Sequence, residues 1–300
     1  MSYALLKKAC TRCRESSVRT YWGNIRSLAR LAGHDDVPSG GKWVNDKLLA
    51  RIKAEPLQRF KRFASAGVKA AQMYNVKRPK WSQAMSESTT RYAKIRESGQ
   101  RTKREHENWP KGGYQALGKL AKTLHGEVRH LEQKKKWSPA DLYHYQRFLI
   151  VLFYSKHALR GDLADVRHKR PYGPNYLQPS GSTYTLHIGH HKTSKAHGAI
   201  TLDLGPEMKK ALDVFLPQAR RIHKHGFLLS TLRTGNRLTR PDMLRLIRNT
   251  TTDRLGKNIG VQIIRVLKVT ENAAQIDAAT QLQREMGHGS GMQKKYISRT

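Results

Sequence analysis

Ser138-Pro-Ala-Asp-Leu-Tyr-His-Tyr-Gln-Arg-Phe-Leu-Ile-Val-Leu-Phe-Tyr154 is the stretch from which the organisation of this chain is read. Ser138 is a helix-capping residue, and Pro139 suits the first helical position, where its missing N–H is not needed. Leu142, Tyr145, Phe148, Leu149 and Leu152 then recur at helical spacing. The apolar cluster from Phe148 to Tyr154 is too short for a membrane span and is expected to be a core helix. Just upstream runs the cationic tract Lys134-Lys-Lys136. That composition shift predicts a boundary, with one domain over 1–136 and a second over 137–300.

Downstream the period changes. Residues 171–179, between Pro171 and Pro179, read as loop. Tyr184, Leu186 and Ile188 alternate with Thr185 and His187, and Ile200, Leu202 and Leu204 alternate with Thr201 and Asp203. Both runs predict half-buried strands. Gly189-His-His-Lys-Thr-Ser-Lys-Ala-His-Gly198 joins them as a polar, mobile hairpin connection. Gly205-Pro206 ends the second strand. Helices are expected beyond it, two of them over 242–248 and 262–270.

The upstream part reads as all helix. Tyr21, Ile25, Leu28 and Leu31 lie near helical spacing, and Gly33 can stop that helix. Residues 35–41 predict a loop, 43–52 a second helix and 56–74 a third. The third presents Leu57, Phe60, Phe63 and Val68 on one side and Arg59, Lys61, Arg62 and Lys69 on the rest, which suits a helix lying on a phosphate backbone. Residues 75–112 are polar and charged, punctuated by Pro79, a Ser/Thr run over 86–90, Gly99 and Trp109-Pro-Lys-Gly-Gly113. No element is assigned there. A further helix is expected over 114–132. The fold class is therefore α+β and mostly α.

Charge bounds the function. Lys and Arg number 57 against 22 Asp and Glu, a formal net charge of +35 over 300 residues, so a polyanion is the expected partner. Nucleic acid is the usual one, because neutralised phosphates release counterions. The basic residues are interleaved with Leu, Ile, Val and aromatics, which fits folded domains with basic faces better than a basic tail. The two cysteines, Cys10 and Cys13, exclude a disulfide scaffold. Their spacing is half of a zinc site without a second half. The N-terminus has no apolar stretch of the signal-peptide kind, so a soluble intracellular protein is expected. His190, His191 and His197 fit no zinc spacing and read as phosphate contacts or solvated side chains. Trp22, Trp43 and Trp81 read as core aromatics, with stacking on DNA as the alternative.

Five features come in a particular order. Arg160 lies in His157-Ala-Leu-Arg-Gly-Asp-Leu163, near the end of the apolar helix. Lys192 lies between the two strands. Arg265 lies in Gln262-Ile-Ile-Arg-Val-Leu-Lys268, His288 in Met286-Gly-His-Gly-Ser290 and Tyr296 in Lys294-Lys-Tyr-Ile-Ser298. This order resembles the tyrosine recombinase (integrase) family, over the part of the chain from Pro139 onward. The helical first part is similar to that family's core-binding domain in architecture only.

The resemblance implies a fold and a chemistry. A helical DNA-binding domain and a catalytic domain would form a clamp on double-stranded DNA, with a homotetramer working on two sites. Tyr296 would attack phosphorus, giving a 3′-phosphotyrosyl link and a free 5′-hydroxyl. Arg160 and Arg265 would hold the non-bridging oxygens with always-charged forks. His288 would add a hydrogen bond, and Lys192 would protonate the leaving oxygen. Lys195 competes for that role. The covalent link conserves bond energy, so no ATP, cofactor or metal is implied. No small-molecule substrate and no membrane are implied either. The protein would be DNA-associated, in the nucleus of a eukaryote or otherwise in the cytoplasm or nucleoid, and would integrate or excise a mobile element or viral genome.

Three departures from the family pattern stand out. Gln262 occupies the place, three before the second arginine, where many members carry His, and an amide cannot act as a general base. Leu163 stands three after the first arginine, where an acid is common, while Asp162 stands two after. Asp162 is expected to orient an arginine. The tail after Tyr296 is short, so either assembly goes through other surfaces or the sequence is truncated there. Two rival functions share much of this reading: a type IB topoisomerase, and a catalytically degenerate DNA-binding protein.

Overall fold

The structure is a computed structural model that describes residues 2–11, 13–223, 225–232 and 234–285. Among these residues it is a mostly helical α+β protein, with thirteen α-helices and a three-stranded antiparallel sheet. None of the described helices is long and apolar enough to cross a membrane. The chain divides into two compact units, Met1–Arg101 and Thr102–Thr300.

The first unit contains α1 (Ser2–Ala9), α2 (Glu15–Leu31), α3 (Asp46–Lys53), α4 (Leu57–Met73) and α5 (Pro79–Glu97). Of the expected stripes, Ile25 and Leu28 on α2 and Phe60, Phe63 and Val68 on α4 are buried, while Tyr21, Leu31 and Leu57 are half-buried against the same core. The helix expected over 43–52 is split. A short 3-10 turn, Gly41–Trp43, precedes α3, whose cap is Asn45, with its Oδ1 accepting from Leu48 N at 2.9 Å. Trp43 and Trp81 are core residues. The basic residues of α4 are partly engaged inside the unit. Lys61 Nζ lies 4.3 Å from the Tyr92 ring centroid, and Arg59 pairs with Glu55 at 3.0 Å.

The 75–112 segment, to which the sequence assigns no element, is largely helical. Pro79 sits at the start of α5, where proline is favoured, and Trp81, Ala84 and Ser88 face inward. The helix docks on α4 through Gly67: a β-carbon there would meet Trp81 Cε3 at 2.0 Å. Ser88 Oγ donates to the Met85 carbonyl at 3.0 Å, so a buried polar residue is satisfied within its own helix.

The second unit begins with α6 (Lys103–Glu107), closed by a capping box between Thr102 and Glu105. Next come α7 (Gln115–Val128) and α8 (Pro139–Lys156). Ser138 caps α8 as the sequence predicts, and the Asp141 side chain returns a bond to the Ser138 main chain. The boundary expected between 136 and 137 does not separate the compact units. Leu117, Leu120, Ala121 and Leu124 of α7 share one core with Tyr145, Phe148, Leu149 and Leu152 of α8, so both helices belong to the second unit. The lysine run merely lines the connection between them.

The sheet has the order β1 (Asn175–Ser180), β2 (Thr183–Ile188), β3 (Ile200–Asp203). β1 lies in the segment expected to be loop. It is an edge strand, the place where Pro179 is tolerated. The turn to β2 uses Gly181 at φ 57°. Leu177, Leu186 and Ile188 point into the core. The β2–β3 connection contains one helical turn, α9 (Ser194–His197), and Leu204 falls just beyond β3. Then follow α10 (Gly205–Ile222), α11 (Arg240–Leu255), α12 (Val261–Glu271) and α13 (Ala273–Glu285). α7, α10 and α11 all pack on α8, whose residues 148–154 are all buried and apolar on every side.

Candidate active site

Arg160 takes its position from the burial of α8. Tyr154, near the end of that helix, is fully buried and donates its hydroxyl to the Arg160 carbonyl at 2.8 Å. The Tyr154 carbonyl in turn accepts from the Tyr114 hydroxyl at 2.8 Å. The two tyrosines fix the backbone where the chain leaves the helix. Burial, reinforced by Asp162, pushes the Tyr154 phenol far above its ordinary range, so it stays a donor.

A 3-10 turn, Gly161–Asp165, follows and rests against α11. Asp162 is buried and accepts from Arg240 Nη2 at 2.6 Å. Asp165 accepts from Arg240 Nε at 2.6 Å and also from Arg237. Asp162 does orient an arginine, as expected, and that arginine is Arg240. The turn is thereby stitched to the start of α11.

Arg265 projects from α12, whose Ile263, Ile264 and Leu267 are buried. Its guanidinium is half-buried. Its pKa is lowered by burial first and then by the positive charge of Arg160, while Asp162 acts in the opposite direction. Arginine does not deprotonate in proteins, so the guanidinium stays charged. Arg160 and Arg265, more than a hundred residues apart, therefore share one electrostatic neighbourhood. No ion pair with Arg265 or with Arg160 occurs among the described residues. Gln262 is exposed one turn before Arg265, on the same side of α12.

The β2–β3 connection reaches the same place. Arg160 Nη1 donates to Thr193 Oγ1 at 3.3 Å. Lys192, the residue before Thr193, is exposed, and so is Lys195 in α9. The structure thus brings together Arg160, Arg265, Asp162 and the backbone that carries Lys192. His288 and Tyr296 lie outside the described residues.

Two neighbours of this site have roles that the sequence reading did not give them. His191 is buried, not solvated, and its Nε2 lies 2.8 Å from the Gly198 carbonyl oxygen. Asn175 is buried and bonded to the main chain of His190. Adjacency to Lys192 was the available signal for His191. Asn175 gives none, because Pro171 and Pro179 make its segment read as loop.

Two like charges held close together, with the adjacent carboxylate engaged elsewhere, make a site suited to a small anionic group such as a phosphodiester. Compared with models of known protein families and with curated protein sequences, the chain matches none.

Proposed function

We propose that this chain breaks and rejoins double-stranded DNA through a covalent tyrosine intermediate, acting as a site-specific recombinase. The observation that supports the reading is the Arg160–Thr193 hydrogen bond beside Lys192, together with an Arg265 close enough to feel the charge of Arg160. The net charge of +35 supports DNA as the polyanion.

In this reading the two guanidiniums bind the non-bridging oxygens of one phosphodiester and stabilise the charge that builds there during attack. The Tyr296 oxygen forms the new bond to phosphorus, and its proton passes to solvent or a neighbouring base. The bond to the 5′-oxygen breaks, and Lys192 delivers a proton to that oxygen. Rejoining is the reverse: a 5′-hydroxyl attacks the phosphotyrosine, Lys192 takes the proton and Tyr296 leaves. One ester replaces another throughout, so each step is close to balanced in energy. Exchange between two duplexes needs four such events, hence a homotetramer on two sites.

Covalent trapping tests the reading. The protein is incubated with a pool of nicked duplexes of random sequence, and adducts are recovered under denaturing conditions. The expected result is a nucleotide on Tyr296, absent in Tyr296→Phe. Arg160→Ala and Arg265→Ala should each slow adduct formation by about 10²–10³-fold. Tight DNA binding with no adduct would replace this reading with a DNA-binding protein that performs no strand transfer. Relaxation of supercoiled plasmid without regard to sequence would point to a topoisomerase.

A further inference from the structure

A directed chain of hydrogen bonds leaves the arginine site and runs through the turn that carries Lys192. At the stem of the turn, Asn175 Oδ1 accepts from His190 N at 2.8 Å, and Asn175 Nδ2 donates to His190 O at 3.1 Å. Asn175 is 2% exposed, so both ends of its amide are committed to this one residue. The mouth of the turn is closed by His191, itself 4% exposed, across to Gly198.

The direction of each bond follows from what the groups can do. A carbonyl only accepts, so His191 Nε2 carries the hydrogen that it shares with Gly198 O. In the neutral ring Nδ1 is then an acceptor. Thr193 Oγ1 lies 3.4 Å from His191 Nδ1 and 3.3 Å from Arg160 Nη1. A guanidinium only donates, so Thr193 accepts from Arg160 and gives its own hydrogen to His191. Ser194 Oγ donates to the His191 carbonyl at 3.0 Å, which fixes the main chain on the far side of Lys192.

We infer that His191 is a positioning residue. It clasps the turn from His190 to Gly198, with Asn175 holding the stem, so that Lys192 is delivered beside the phosphate that Arg160 and Arg265 bind. This inference rests on the strand-cleavage reading above. The physical need is plain. The lysine side chain brings about 2 kcal/mol of rotamer entropy of its own. A wandering loop would add to that and dilute the acid at the moment of bond breaking. The expected mobile hairpin is instead tied to the arginine on which the phosphate would sit.

The test compares single-turnover cleavage of two nicked duplexes, one with an ordinary phosphodiester and one with sulfur as the bridging 5′-atom. A thiolate departs without a proton, so a defect confined to the acid disappears on the sulfur substrate. Lys192→Ala and His191→Ala should each slow the ordinary substrate by about tenfold or more, with DNA affinity unchanged. Both should recover on the sulfur substrate. His191→Gln, which retains a donor and an acceptor, should restore part of the rate on the ordinary one. It also serves as the working variant should the alanine protein fold poorly.

Undiminished cleavage by His191→Ala would overturn the inference. So would a His191→Ala defect that persists on sulfur while that of Lys192→Ala vanishes, because the histidine would then act on something other than the acid. Failure of Lys192→Ala to recover on sulfur would also overturn it. If the wild-type protein forms no adduct with either duplex, the strand-cleavage reading itself falls, and the inference with it.

Discussion

Asp162 Oδ1 accepts from Arg240 Nη2 at 2.6 Å, so the carboxylate that acts on Arg265 is already held by a third arginine. The Asp162 side chain is 3% exposed and that of Arg240 40%, which makes the pair one-sidedly buried. Asp162→Ala should destabilise the protein by about 2 kcal/mol, in the range for a hydrogen bond to a charged group. Urea unfolding would show a lower midpoint at unchanged slope. An unmoved midpoint would mean that Asp165 holds Arg240 unaided.

Gln146 is fully buried in α8 and reads the main chain of Ser230 with both ends of its amide, accepting from N at 2.8 Å and donating to O at 2.9 Å. Gln146→Leu leaves two buried backbone groups without partners, at a cost of about 2 kcal/mol or more. Gln146→Glu should be worse, because a carboxylate cannot donate to the Ser230 carbonyl and its charge is buried. Thermal melts should rank wild type above Gln146→Leu and Gln146→Glu lowest. Equal melting temperatures would remove the pair from the list of stabilising contacts.

The contact between α4 and α5 leaves no room at Gly67. Gly67→Ala places a carbon 2.0 Å from Trp81 Cε3 and should cost about 1–3 kcal/mol through forced separation of the helices. The near-ultraviolet circular dichroism of the tryptophans should change with it. Combining Gly67→Ala with Trp81→Leu should cost less than the sum of the two single changes, since a smaller partner relieves the clash. Simple additivity would count against the close approach.

Acid should loosen the second unit through two histidines. Burial, aided by the neighbouring histidines and by Lys169, holds the His168 pKa down to about 3 and the His223 pKa down to about 4, against an ordinary 6.5. Both ring nitrogens of His168, and Nε2 of His223, have no hydrogen-bond partner among the described residues. A folded pKa below the unfolded one means that the unfolded chain binds more protons in between. The stability these groups contribute is therefore complete above about pH 6.5 and declines as the pH falls toward 4 and then 3. Melting temperature against pH should show that decline, and His168→Phe should flatten it. A flat profile in the wild-type protein would contradict the buried, neutral state.

Much of this architecture was legible, for reasons that differ by element. The start of α8 was readable because its capping is chemically local: Ser138, Pro139 and Asp141 act on one another within a turn. The strands β2 and β3 were readable because one face of each is wet, so alternation survives in the sequence. β1 was hidden by Pro179, which marks an edge strand as readily as a loop. The helix α5 was hidden because its inward face is small, with Trp81, Ala84 and Ser88 and little else apolar. The lysine run misplaced the domain division because composition reports solvent exposure of a linker, not which helices share a core.

At the site, the types and order of Arg160, Lys192 and Arg265 were legible because each sits in a distinct local setting. The supporting groups were not. Asn175, His191 and Thr193 act by closing distances across a turn, and Arg240 by reaching back to Asp162 across 78 residues. Such partnerships leave no periodic trace.

The enclosure of α8 has a consequence for how the molecule breathes. A helix walled in by α7, α10 and α11 is expected to exchange its amide hydrogens among the slowest in the unit. Arg160 hangs from the end of that helix by the Tyr154 tether. Arg265 rides on α12, a helix with one buried face and one wet one. Amide exchange is therefore expected to be faster along α12 than along α8.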